Sequence, residues 1–370
     1  MIYLDNGATS LPKPEGVIRA MTWAAGHLAS PGRGSAKPSE QADELLYTLR
    51  LTAGEMFSCE PQNVILTTSA THGLNIAIRS LAKAGDRVVI SGMEHNAVVR
   101  PLHALGADIQ AARGALFDNG ALLRDFDRLL TRDTALCVTT QVSNVFGWVL
   151  PVREIAALCR ERGIPLVVDA AQSAGVLPVN LREWDAAFVA MPGHKGLLGP
   201  QGTGLLLCGE HTRTAPLLAG GTGSVSRERD MPDFLPDRLE AGTQNIPGAA
   251  GLLAGLRYLR TQGLDSVARR ESDLREMLTG RLGRIPGVRV FRGEKQTGVV
   301  SFLAEGRDCV SLAGELAAAG IALRAGLHCA PLAHETAGTL ETGTVRASLG
   351  PFSTAGDVRF LTRTLEQLLA

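Results

Sequence analysis

PVREIAALCRERGIPLVVDAAQSAG, residues 151–175, changes its period part-way along. As far as Arg162 the apolar residues recur three and four apart, the spacing of one helix face, and Gly163 is a common helix stop. Leu166, Val167 and Val168 then form a short apolar run that reads as a strand, ending on the carboxylate of Asp169. The same alternation extends to both sides. VILTTS, DRVVIS, TALCVTTQVS, AAFVAMPG and GTGLLLCGE are further strand candidates between residues 64 and 210. Helices alternating with strands argue for α/β architecture with a largely parallel sheet. Residues 251–283 read as mostly helical, and GVRVFRG, TGVVSFLAE and a helix over 308–319 suggest a smaller α+β unit. We place the boundary near 255, giving a large domain over 15–255 and a small one over 256–370 that includes the N-terminal segment 1–14.

A chain of 370 residues is long enough for two domains. Lys plus Arg and Asp plus Glu both total 37, so no net field gathers nucleic acid or an anionic membrane, and a small-molecule substrate is expected. MIYLDNGATS has neither a basic nor an apolar leader region, and no apolar run approaches about 18 residues. The expected compartment is the cytoplasm. Six cysteines without a CxxC pair or zinc-like spacing argue against a disulfide framework or a structural metal. TGSVSRERDMPDFLPD, with its prolines and mixed charge, reads as a surface loop.

In open α/β sheets ligands gather beyond the carboxyl ends of the strands. There VILTTS runs into ATHGLN, DRVVIS into GMEHNAV, IPLVVD into AAQSAG, and AAFVAM into PGHKG. These endings supply a small-residue turn before a helix, His95, Asp169 with Gln172 three residues on, and Lys195. Together they suit pyridoxal 5′-phosphate: a lysine to anchor it, an acid for its ring nitrogen, a flat ring to stack on it and a helix N-terminus for its phosphate. Singly, each has a plainer reading: Lys195 as a turn lysine, Asp169 as a helix cap and His95 as a loop residue. No GxGxxG, GxxxxGK[ST] or GxSxG motif supports a nucleotide or serine-hydrolase site. The glycines of AMPGHKGLLGPQGTG, residues 190–204, are expected to turn the chain tightly around the cofactor phosphate.

From YLDNGAT through EHNAVVRP, QVSNVFG, VVDAAQSAG, PGHKGLLGPQGTG, EAGTQN and RAGLHCAP to VRASLG, nearly the whole chain resembles class V aminotransferase-fold enzymes. It most closely resembles the cysteine desulfurase and selenocysteine lyase family, in the group with an RxGxHCA catalytic loop. The resemblance implies the fold type I, PLP-dependent transferase architecture: a mainly parallel, seven-stranded-type sheet in the large domain and a smaller α+β C-terminal domain. It implies Lys195 as covalent anchor, Asp169 at the pyridine nitrogen, His95 as stacking ring, Gln172 at the phenolic oxygen, and Asn144 near cofactor and substrate. Ala70, Thr71 and His194 would hold the phosphate together with Thr243 from a second subunit, implying a homodimer. Pro192 and Ala70 stand where family members commonly carry hydroxyl residues.

The reaction class turns on Cys329, which lies in IALRAGLHCAPLAH between Arg324 and Arg346. Arginine presents a planar fork matched to a carboxylate, so either could hold an amino acid substrate. The plain alternative is a buried thiol between two surface arginines. The resemblance implies that L-cysteine becomes L-alanine, with sulfur held as a persulfide on Cys329 for a sulfur-acceptor protein. Lys195, Cys329 and His95 would then be the catalytic groups, with His328 and Arg324 favouring the thiolate by positive or polar character. L-Selenocysteine is the rival substrate. A class V β-lyase or aminotransferase that ignores Cys329, and a PLP-binding scaffold without turnover, are the other readings.

Overall fold

The computed structural model describes residues 1–32 and 36–370. After the short β1 (Ile2–Tyr3), the chain lays down β2 (Val64–Thr67), β3 (Arg87–Ser91), β4 (Asp108–Ala112), β5 (Thr134–Thr140), β6 (Leu166–Asp169), β7 (Phe188–Pro192) and β8 (Gly204–Cys208). These seven form one sheet in the order β2-β8-β7-β6-β5-β3-β4. From β7 to β4 every neighbouring pair is parallel. β8 runs antiparallel to both β7 and β2. The segment joining β7 to β8, residues 193–203, contains no helix, and without a crossover the chain returns antiparallel. That return segment carries Lys195.

The central strands are mainly apolar along their middles because both faces of the sheet are covered, with polar residues such as Asp169 and Ser91 at their ends. Successive side chains alternate between two cores: Val168, Val189 and Leu207 belong to one, and Val167, Phe188 and Leu206 to the other. The helix Val152–Arg162 makes the crossover from β5 to β6 and ends at Gly163, whose φ of 66° is left-handed. β4, which the strand reading passed over, is the edge strand; its outer residues are exposed or half-buried, so no apolar run announces it.

β9 (Val288–Val290), β10 (Val299–Ala304), β11 (Ile321–Ala322), β12 (Arg324–Gly326) and β13 (Thr344–Ser348) follow. β12-β13-β10-β9 form an antiparallel sheet, and β11 pairs in parallel with β1. A third core lies here, joining Leu278, Phe302, Leu312, Val345 and Leu361 with Leu4 from the N-terminal segment. Residue 255 falls inside the helix Ile246–Gln262, and the chain turns at Gly263 (φ 77°) into the helix Leu264–Leu282. Among the described residues no helix is long and apolar enough to cross a membrane.

A buried ion pair ties the start of β2 to distant chain. Arg50, on the helix Lys37–Phe57, donates to both carboxylate oxygens of Glu240 at 2.7 Å and to the carbonyl of Val64. Glu240 also accepts the N–H of Leu66 at 2.6 Å. Breaking one side of such a pair strands a buried charge. Glu240→Ala is therefore expected to lower stability by about 3–5 kcal/mol, read as a lower urea midpoint at unchanged slope.

Candidate active site

A cavity of about 240 Å³ opens at the carboxyl ends of β2, β5, β6 and β7, where the small unit and the N-terminal segment close over the sheet. Lys195, Asp169, His95, Gln172, Asn144, His194, Ala70, Thr71, Arg324, Cys329 and Arg346 all line it. Thr243 does not. It is exposed, and with Thr68 and Thr203 it lines a separate cleft.

Beyond β2 the chain enters the helix Ala70–Leu81 through Ser69, whose hydroxyl accepts the N–H of His72 at 3.2 Å. Among the described residues the N–H groups of Ala70 and Thr71 have no acceptor, so this helix start offers two free donors to an anion in the cavity. On the neighbouring strand end, Asp169 is buried and accepts the N–H of Ala171 at 2.8 Å. Burial raises its carboxyl, while that N–H and the charge of Lys195 pull it down. It thus caps its turn and faces the cavity at once. His95 caps the helix Asn96–Leu105: its Nδ1 accepts the N–H of Ala97 at 2.9 Å, which leaves the ring proton on Nε2. Burial and then Lys195 lower it to about 4, so the ring is neutral.

Gly196, next to Lys195, serves a close backbone contact. A Cβ on Gly196 would lie 2.3 Å from the carbonyl of Ala174, and one on Gly175, whose φ is +87°, 2.3 Å from the carbonyl of Gly196. Only glycine lets the lysine segment lie directly on the turn that follows Asp169. On its other side the carbonyl of His194 gathers donors from the N-terminal segment: Ser10 N–H at 3.0 Å, the Ser10 and Thr9 hydroxyls at 3.1 Å, and Lys13 Nζ at 2.7 Å. Burial lowers the Lys195 amine to about 8; Asp169 opposes this, and Arg346 and Arg324 add to it.

Cys329 follows β12 and is the exposed member of six free cysteines. His328 and Cys329 both hold left-handed backbone, with φ of 48° and 57°. Such a conformation costs about 1–2 kcal/mol for a residue bearing a Cβ. The loop is fastened from several sides to hold it: Asn96 N–H donates to the Cys329 carbonyl and Asn144 Nδ2 to the His328 carbonyl, each at 2.7 Å. Arg346 is buried, with Nη2 on Asp5 at 2.6 Å and Nη1 on the Asn144 carbonyl at 2.9 Å. Arg324 is exposed, lines the cavity, and makes no ion pair among the described residues. Of the positive or polar character expected of His328, the structure leaves only the polar. Burial, reinforced by Arg346, holds its ring neutral, and Arg324 is the cation left facing the cavity beside it.

Residues 2–361 match the class-V aminotransferase family. The chain belongs to that family. It is 35% identical, over 99% of its own length and 90% of the relative's, to a probable cysteine desulfurase of Xylella fastidiosa (strain Temecula1). A probable cysteine desulfurase of Methanothermobacter thermautotrophicus is 33% identical over 99% of this chain and 94% of its own. Among solved structures, the apo cysteine desulfurase of Thermococcus onnurineus NA1 superposes with a TM-score of 0.90 at 31% identity, covering 100% of this chain and 94% of that one.

For this class-V chain the residues present fit pyridoxal 5′-phosphate. The helix start at Ala70 offers free donors, and His194 Nδ1 is buried without a partner at the cavity wall. One Gln172 amide proton goes to the Gly7 carbonyl at 2.9 Å, leaving the second for a ligand oxygen. Three residues of the site escaped the sequence reading. Ser69 carries the hydroxyl that Ala70 lacks, signalled only by its place before a helix. Asp5 sits in the quoted YLDNGAT, but its partner lies 341 positions away. Glu94, fully buried, accepts the Ser91 hydroxyl and the Thr140 N–H, and burial pushes it up to about 8, with Asp169 adding to the rise. In cofactor-free protein, competitive acetylation of Lys195 is expected to rise with pH through a midpoint near 8; a midpoint above pH 10, the ordinary lysine range of about 10.4, contradicts the burial described.

Proposed function

We propose that this protein is a cysteine desulfurase: L-cysteine and the Cys329 thiol become L-alanine and a Cys329 persulfide. The observation that carries this reading is an exposed thiol, fixed on a strained loop, at the wall of a cavity that also holds a buried lysine and a buried carboxylate. Pyridoxal 5′-phosphate, held at Lys195, supplies an electron sink that loosens the bonds at Cα and Cβ of a bound amino acid.

The chain's own groups do the rest. Arg324 offers an unpaired guanidinium to the substrate α-carboxylate, and Arg346 lies deeper, fixed by Asp5 and Asn144. The Lys195 amine, lowered to about 8, takes and returns the Cα proton near neutral pH, where an ordinary lysine stays charged. The neutral His95 ring can stack on the cofactor without opposing a positive ring nitrogen, which Asp169 stabilises. Cys329 sulfur attacks the substrate sulfur. The new S–S bond takes the place of the substrate's Cβ–S bond, and the carbon fragment gains a proton at Cβ and leaves as alanine. Because the loop is fastened at both carbonyls, the persulfide stays near the cavity mouth, where an acceptor protein can reach it. We extend the proposal to a homodimer in which Thr243 of the partner subunit completes the phosphate site, since Thr243 in its own chain is exposed and outside the cavity.

Purified holoenzyme given L-cysteine is expected to form alanine and to carry one extra sulfur on the Cys329 peptide by mass spectrometry. Cys329→Ser should keep the cofactor absorbance and lose alanine formation by at least about a hundredfold. Undiminished alanine release by the variant would exclude Cys329 as the attacking group, and pyruvate with ammonia in place of alanine would favour a β-lyase.

A further inference from the structure

Behind the catalytic loop lies a second histidine that the mechanism above does not use. His334, on the helix Pro331–Ala337, is fully buried and stacks on His328, with ring centroids 5.8 Å apart and planes inclined by 28°. Phe146 also packs near it, with ring centroids 5.8 Å apart. Burial lowers His334 to about 4, so both stacked rings are neutral.

Their protons can be assigned from their partners. His328 Nε2 lies 3.1 Å from the carbonyl of Thr344, which can only accept, and 3.2 Å from the Thr344 hydroxyl, whose own hydrogen goes to Ser301 Oγ; Nε2 therefore bears the hydrogen and Nδ1 is a bare acceptor. His334 Nδ1 lies 2.7 Å from the Thr339 hydroxyl, for which no other acceptor is found among the described residues. That hydroxyl donates, which puts the His334 hydrogen on Nε2. His328 Nδ1 and His334 Nε2 are both buried without a partner among the described residues. One is an acceptor lacking a donor and the other a donor lacking an acceptor, on two neighbouring rings. In stacked rings the nitrogen lone pairs and N–H bonds lie in the ring planes and do not point at each other, so a single water bonded to both, and not a direct bond, would satisfy them.

We propose that His334 is a positioning residue for Cys329, joined to His328 through one buried water between His334 Nε2 and His328 Nδ1. His328 is the residue through which it acts. Its ring is pinned to Thr344 on β13, its carbonyl to Asn144, and its left-handed backbone leads directly into that of Cys329. Thr344 passes the contact on through Ser301 to the carbonyl of Val145, beside Asn144, so the chain of bonds closes on the cavity wall. Releasing the His328 ring frees the first of the two strained residues, and the thiol loses its fixed aim.

The role rests on the desulfurase reading, but the bridge itself can be read without activity. In holoenzyme carrying ¹⁵N-histidine, the His328 Nδ1 resonance is expected at the value of a hydrogen-bonded acceptor, moving toward that of a free acceptor in His334→Phe. With L-cysteine, His334→Phe should lower kcat about tenfold with KM within about twofold, and His334→Gln, which keeps a side-chain N–H, should recover most of the loss. An unmoved Nδ1 resonance overturns the bridge. A moved resonance with unchanged kcat overturns the positioning role, and so does failure of His334→Gln to recover kcat. If the native holoenzyme forms no alanine, the desulfurase reading and the positioning role fall together, and the resonance alone still decides the bridge. Should His334→Phe not fold, Thr339→Val, which removes the hydroxyl that sets the His334 proton, takes its place with the same criteria.

Discussion

Two backbones that touch without side chains between them set the geometry of the cavity. Gly175 and Gly196 bring the turn after β6 and the lysine segment after β7 so close that a Cβ on either would stand 2.3 Å from a carbonyl oxygen. At that distance something must shift, and what lies opposite is main chain, not a flexible side-chain tip. Asp169 and Lys195 leave from these two segments, so their separation is fixed by main chain before any side chain adjusts. The four donors gathered on the His194 carbonyl hold the other side of the lysine segment against the N-terminal chain. Residues near the start of the sequence are thus as much a part of the lysine's support as the strand it follows.

The electrostatics of the site come as much from groups kept neutral as from those kept charged. Burial strips the proton from His95 and His328 and leaves one on Glu94. Asp5 compensates Arg346 in a buried pair. What remains to act on a ligand is Asp169 deep beside the lysine and the unpaired Arg324 near the thiol. On the proposed reading, a zwitterionic amino acid would be matched in that order, with its carboxylate toward the guanidinium and its amine toward the cofactor site. An uncompensated Arg346 would instead have given the floor of the cavity a second strong anion site competing for the same carboxylate.

How far the sequence foretold this depends on what each residue's neighbours had to be. The central strands were legible because burial on two faces gives each a short apolar run, and β4 was not because an edge strand needs no such run. Lys195, Asp169 and His95 were legible because parallel strands deliver their C-terminal residues to one edge, a consequence of topology that local pattern can signal. The meaning of the glycines was not, since a ligand and another stretch of backbone demand the same absent side chain. Asp5 stood in plain view, but its ion pair joins opposite ends of the chain. Whether His328 is charged or merely polar was not legible, because adjacency in sequence says nothing of the burial that decides protonation.

The loop bearing Cys329 shows why the small unit belongs to the site. Its two left-handed residues cannot be stabilised by local hydrogen bonds alone, since the Ala330 N–H to Leu327 carbonyl bond spans the kink without fixing either carbonyl within it. Those carbonyls are taken up by Asn96 and Asn144, both from the large sheet's side of the cavity, while the His328 ring is taken up by β13 of the small sheet. The strained conformation therefore exists only where the two sheets meet. A shift of one against the other alters the thiol's direction before it alters any contact inside either core, and the aim of Cys329 is accordingly a property of the seam between the sheets.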